Sequence, residues 1–162
     1  MQNQMAIRNL NTPSFGNRYL VVERPIAYIG GFEHSERVLQ AVEKSPVVQK
    51  FIEQGNPKSL WSRLLNYFKR NEYLEVKHVR GFDLDRVEFS LRKNFSKKAK
   101  RITLNADKEA VVQNPNYLSR KKIRLIPTEE RMEVIKKHNE IMDDNLIEQI
   151  SNIKSDFFSN LG

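Results

Sequence analysis

Arg86-Val87-Glu88-Phe89-Ser90-Leu91-Arg92 alternates without a break between polar and apolar residues. Successive side chains of a strand point to opposite faces, so Val87, Phe89 and Leu91 mark a buried face and Arg86, Glu88, Ser90 and Arg92 a wet one. Tyr73 to Val79 reads as the upstream neighbour, joined to this strand through Gly81 to Asp85. Downstream, Arg101–Leu104 and Lys108–Gln113 flank Asn105-Ala106-Asp107 and read as a hairpin. After the break at Asn114-Pro115-Asn116, Lys122–Ile126 reads as a last strand, with Ile123 and Leu125 inward and Lys122 and Arg124 on the wet face.

Towards the N-terminus, Tyr19–Val22 and Ile26–Ile29 read as two short strands separated by Arg24-Pro25 and closed by Gly30-Gly31. Val38, Leu39 and Val42 give Glu33–Lys44 helical spacing. Ser45-Pro46 matches a cap followed by proline at the first helical position, opening a second helix to Gln54. Leu60, Trp61, Leu64, Leu65 and Phe68 form the apolar face of a third, Lys58–Arg70. Residues 1–17 read as an extended arm. The first 22 residues lack Asp and Glu and include Arg8 and Arg18, as an organelle presequence would, but Asn9, Asn11, Pro13 and Gly16 interrupt the helix it needs.

From Thr128 the period returns to 3.6. Met132, Ile135, Asn139, Met142, Leu146, Ile150, Ile153 and Phe157 form one stripe, with Thr128 as cap and Glu129 and Glu130 in the first turn. Unbroken to Phe158, this helix would be about 46 Å long. The expected class is α+β: an antiparallel sheet of about four strands, N-terminal helices and a long C-terminal amphipathic helix. Three segments are expected, namely the arm (1–17), a basic α+β domain (18–127) and the amphipathic helix (128–162).

Charge is placed rather than spread. Arg92 to Arg124 holds eleven Lys or Arg against Asp107 and Glu109, more net charge than the +8 of the whole chain. Pro127 to Gly162 holds eight acids and four bases. Such a basic middle suits an anionic partner, nucleic acid first, and the amphipathic tail suits another protein chain. There is no cysteine, which excludes disulfides and thiolate sites and fits a reducing intracellular compartment, cytoplasm or organelle matrix; no secretory signal is read. No apolar run reaches the roughly 18 residues of a membrane span.

The candidate nucleic-acid contacts are two clusters, Arg92, Lys93, Lys97, Lys98, Lys100 and Arg101, then Arg120, Lys121, Lys122 and Arg124. On strands of one sheet they would make a single positive surface that neutralises phosphates without reading sequence. Phe95 and Tyr117 lie beside them, either to stack on unpaired bases or to anchor loops to the core. Ser96-Lys97-Lys98-Ala99-Lys100 resembles the basic box of double-stranded-RNA-binding domains over five residues. The glycines before that box and the small-residue helix after it are missing, so the resemblance implies at most recognition of RNA by shape.

Asn139, Met142, Leu146, Ile150, Ile153 and Phe157 are the candidate partner-binding residues, with Asn139 as the lone polar residue that sets register in a helix seam. Glu75-Val76-Lys77 has the E-x-K form of metal nucleases, and Asp83, Asp85 and Glu88 are carboxylates a Mg²⁺ ion accepts. The preceding strand offers no further acid, and Asp83 and Asp85 read as turn residues. His34, His78 and His138 share no ligand spacing, and His78 falls on the buried face with Leu74 and Val76. No catalytic residue, metal site or cofactor is assigned. The expected function is non-enzymatic binding of an RNA or DNA backbone within a larger assembly. The alternative is a structural subunit of a virion or organellar complex whose basic strip meets acidic protein, and the third reading is a metal-dependent nuclease.

Overall fold

A computed structural model describes residues 3–8, 18–25, 35–55, 71–81, 84–93 and 99–161. The elements, in order, are β1 (Asn3–Arg8), β2 (Arg18–Pro25), α1 (Glu36–Lys44), α2 (Pro46–Glu53), β3 (Glu72–Gly81), β4 (Leu84–Lys93), β5 (Lys100–Asn105), α3 (Lys108–Gln113), α4 (Arg120–Arg124) and α5 (Thr128–Ser151). The class is α+β, with the long C-terminal helix expected from the 3.6-residue period.

The strands form one sheet in the order β1-β2-β3-β4-β5. Every neighbouring pair is antiparallel except β2 and β3. That pair is parallel because the chain between them passes through α1 and α2, a crossover that tight hairpins do not need. Residues 3–8, within the expected arm, pair with β2 as a fifth strand. β2 runs on through Arg24 and Pro25, where a break was expected; the strand expected over Ile26–Ile29 and the helix expected over Lys58–Arg70 lie outside the described residues.

The alternation in β4 holds. Val87, Phe89 and Leu91 are buried, together with Leu74 and Val76 on β3 and Leu20 and Val22 on β2. Onto this face pack Val38, Leu39 and Val42 of α1, Val48, Phe51 and Ile52 of α2, and Met142, Leu146 and Ile150 of α5. Arg18 fastens the end of α2 to the sheet. Its guanidinium lies 4.3 Å from the Phe51 ring centre, donates to the Phe51 carbonyl at 3.1 Å and pairs with Glu72 at 3.0 Å. Gly55 backs directly onto it, where a Cβ would come within 2.7 Å of the Arg18 side chain.

Three expected elements differ. Lys108–Gln113 is helix α3, not a strand, because the Asp107 side chain accepts from the Glu109 and Ala110 amides and starts a turn. The segment read as a strand over Lys122–Ile126 is helix α4, which the Ser119 hydroxyl caps by accepting from the Lys122 amide. The C-terminal helix stops at Ser151 rather than Phe158, and Pro127, not Thr128, stands at its cap. Successive turns then fold Phe157 and Phe158 back, so that both rings make edge-to-face contacts with Phe89, centres 5.6 and 5.4 Å apart, and the Phe158 ring centre also lies 4.9 Å from that of Phe51.

Candidate nucleic-acid interface and a buried ion-pair cluster

The β4–β5 register, Leu91 opposite Lys100 and Ser90 opposite Arg101, gathers Arg92, Lys93, Lys100 and Arg101 at one end of that hairpin. All four are exposed. Two are already engaged, Arg92 with Glu75 at 2.8 Å and Lys93 with Glu72 at 3.6 Å. Lys97, Lys98 and Phe95 lie outside the described residues.

The second cluster rides on α4 rather than on a strand, so the single strand-borne surface expected from sequence is not what forms. Ile123 is buried and anchors α4, while Arg120, Lys121, Lys122 and Arg124 are exposed. The Arg131 guanidinium of α5 donates to the Arg124 and Ile126 carbonyls at 3.2 and 3.1 Å, fixing the end of α4 to the start of α5. Further along, α5 reaches the sheet at the end opposite the first cluster. There Asp143 meets Arg80, and Gln149 donates to the Asn105 carbonyl at 2.8 Å. Leu91 and Arg86 are separated by about 17 Å along β4, and Arg131 lies about 18 Å along the helix from Asp143. The two basic clusters therefore ride on different elements, one on the β4–β5 hairpin and one on α4.

Tyr117 is half-buried, packs against the core and lies 5.2 Å from the His138 ring, so it anchors its loop. The candidate partner seam is spent in the same way. Met142, Leu146 and Ile150 are core, and Ile153 and Phe157 pack against it. Only Asn139 faces a space, a cleft of about 650 Å³ lined among others by Ser35, Arg37, Met132 and Ile135. The physical reason is the stop at Ser151, which lets the tail turn back onto the sheet that a straight helix would have overshot.

Arg80 and Asp143 also line that cleft, and behind them lies a cluster that the sequence reading missed. His78 on β3, Asp85 on β4 and Asp143 on α5 are all buried, and the Arg80 side chain is only 6% exposed. The Ser35 amide, at the cap of α1, donates to His78 Nδ1 at 2.9 Å. That leaves the imidazole proton on Nε2, which donates to Asp85 Oδ1. Arg80 lies between the carboxylates, its Nε 3.4 Å from Asp85 Oδ2 and its Nη2 bonded to Asp143 Oδ1. Asp85 is thus no turn residue; it stands in β4 opposite Arg80. Asp83 lies outside the described residues.

His78, Asp85 and Asp143 bring one potential ligand atom each within 4.8 Å of one another. Their chemistry does not fit a cation. The Nε2 lone pair is absent in the tautomer that Ser35 imposes, and the Arg80 guanidinium already supplies the positive charge between the carboxylates. The arrangement links α1, β3, β4 and α5. Its E-x-K counterpart is no closer to a metal site, since Glu75 pairs with Arg92 and Glu88 with Arg86 at 3.0 Å.

Comparison with protein-family models, curated proteins and solved structures finds no match to this chain. Among the described residues no helix is long and apolar enough to cross a membrane.

Proposed function

We infer that this chain is a non-enzymatic nucleic-acid-binding protein that holds RNA or DNA by its phosphate backbone, with little sequence preference, as a subunit of a larger assembly. One observation carries the reading: α4 displays four cations in five residues, all exposed, and among the described residues Lys121, Lys122 and Arg124 have no acidic partner. Cations held away from carboxylates on a helix anchored by Ile123 and Arg131 are disposed to meet phosphates, and they release counterions when they do.

The test is binding of a labelled random oligonucleotide at several salt concentrations. Changing Lys121, Lys122 and Arg124 together to Glu should weaken binding and make the log–log salt slope shallower by roughly two to three, about one unit per lost phosphate contact. Absence of binding by the parent protein at low salt overturns the reading.

The assembly-subunit alternative has its own support. Leu125 is 85% exposed directly after α4, and Met132 is 68% exposed on the first turns of α5. Exposed apolar side chains beside a basic helix suit an acidic protein surface. On that reading the contact lies on the proximal half of α5, since the distal half is core. Such a protein would co-purify through Met132 and Leu125, and Met132→Glu with Leu125→Glu would release it while leaving oligonucleotide binding intact.

A further inference from the structure

We propose that the second face of the sheet, at its β2–β3–β4–β5 corner, is a stacking platform for unpaired bases, so that the nucleic acid this chain prefers is single-stranded. The proposal rests on the nucleic-acid reading above and narrows its substrate class. The register puts Tyr19 opposite Tyr73 and Tyr73 opposite Arg92 in one row across three strands. These residues alternate with buried Leu20, Leu74 and Leu91, so they stand on the face opposite α1, α2 and α5, where Val21, two residues beyond Tyr19, is itself buried. One row further along, Glu75 lies opposite Ser90 and Ser90 opposite Arg101.

The two tyrosine rings stack on each other, centres 5.5 Å apart and planes inclined by 25°. Both are half-buried, whereas Arg92 beside Tyr73, and Arg101 one row along and a strand further, are exposed. A strand spacing near 4.8 Å puts the row from Tyr19 to Arg92, two spacings, within about 10 Å. A pair of stacked aromatic rings on a sheet offers a base a π surface to continue, and cations on the adjoining strands meet the phosphates between such bases. A duplex hides its base faces inside the stack and gains nothing from the rings. The cations alone would not discriminate; the tyrosines do.

Glu75 sets the balance of the site. Its carboxylate holds Arg92 at 2.8 Å, with both side chains partly exposed. A phosphate arriving at Arg92 must displace that carboxylate. Glu75→Gln should therefore strengthen single-strand binding, by roughly threefold for an exposed pair of this kind.

The experiment compares a labelled oligothymidylate with a hairpin duplex of equal length, using the full chain. The parent should bind the single strand more tightly. Tyr73→Leu, which keeps apolar bulk but removes the ring, should weaken single-strand binding at least about fivefold and leave duplex binding unchanged; Tyr73→Phe should retain it. Ultraviolet cross-linking of the unaltered protein to the oligothymidylate, read by peptide mass spectrometry, should mark Tyr19 or Tyr73, and needs no variant to fold. Cross-links confined to α4, or single-strand binding indifferent to Tyr73→Leu, overturn the platform while the backbone-binding reading stands. A parent protein that binds neither probe overturns both.

Discussion

Arg80 and Asp143 stand 63 positions apart in the chain and meet beneath the cleft between α1 and α5, with Asp85 and His78 behind them. Burying these charges costs several kcal/mol per ion, offset only because each carboxylate faces the same guanidinium and the imidazole has a partner at both nitrogens. Removing one member strands the others. Asp143→Ala should lower the unfolding free energy by about 3 kcal/mol in urea titration. Arg80→Met with Asp143→Leu should lose less than the single change, because cation and anion leave together. A single variant within about 0.5 kcal/mol of the parent would show that the cluster does not stabilise the fold. His78 was legible as an inward residue, since it shares strand parity with Leu74 and Val76. Its partners were not: Asp85 has the composition of a turn, and nothing in the spacing of Asp143 connects it to β3.

At the scale of the element, period-two and period-3.6 patterns separate only when enough residues sample them. β4 offers seven residues in strict alternation, so its face was legible at once. α4 offers one buried residue, Ile123, and Leu125, which imitated a second inward position, is almost fully exposed. The cap residues Asp107 and Ser119 were the available signals for α3 and α4. The tail is the larger lesson. Its apolar stripe was legible, but the stop at Ser151 and the fold-back of Phe157 and Phe158 make its distal half core rather than a partner surface. Truncation after Asp144 removes Leu146, Ile150, Phe158 and Leu161, all buried. Each contributes roughly 1.5–3 kcal/mol, together comparable with the whole stability of a small domain, about 5–15 kcal/mol. The truncated chain should show no cooperative thermal transition in circular dichroism; a well-folded fragment would mean that the tail is an appendage.

Over the whole molecule, the positive charge divides between the end of the β4–β5 hairpin and α4, two different elements. Sites farther apart than roughly 7–10 Å with no shared partner act independently. If one strand of nucleic acid spans both, Lys100→Glu with Arg101→Glu and the triple change on α4 should add in log affinity to within about 0.3–0.5 kcal/mol, measured by anisotropy at fixed salt. Strong non-additivity would mean a single contact area. What the sequence by itself determined was local: the faces of β3 and β4, the first two helices with the Ser45-Pro46 start, the concentration of cations between Arg92 and Arg124, and the lack of cysteine chemistry. Only the tertiary structure decided which distant residues meet. It paired 3–8 with β2, placed Tyr19 beside Tyr73 and Tyr73 beside Arg92, closed His78, Asp85, Arg80 and Asp143 into one cluster, and set the second basic cluster on a helix. Periodicity reports which side of an element is wet, because burial acts on each side chain separately. Which elements adjoin depends on how their apolar faces share one core, and no single segment carries that information.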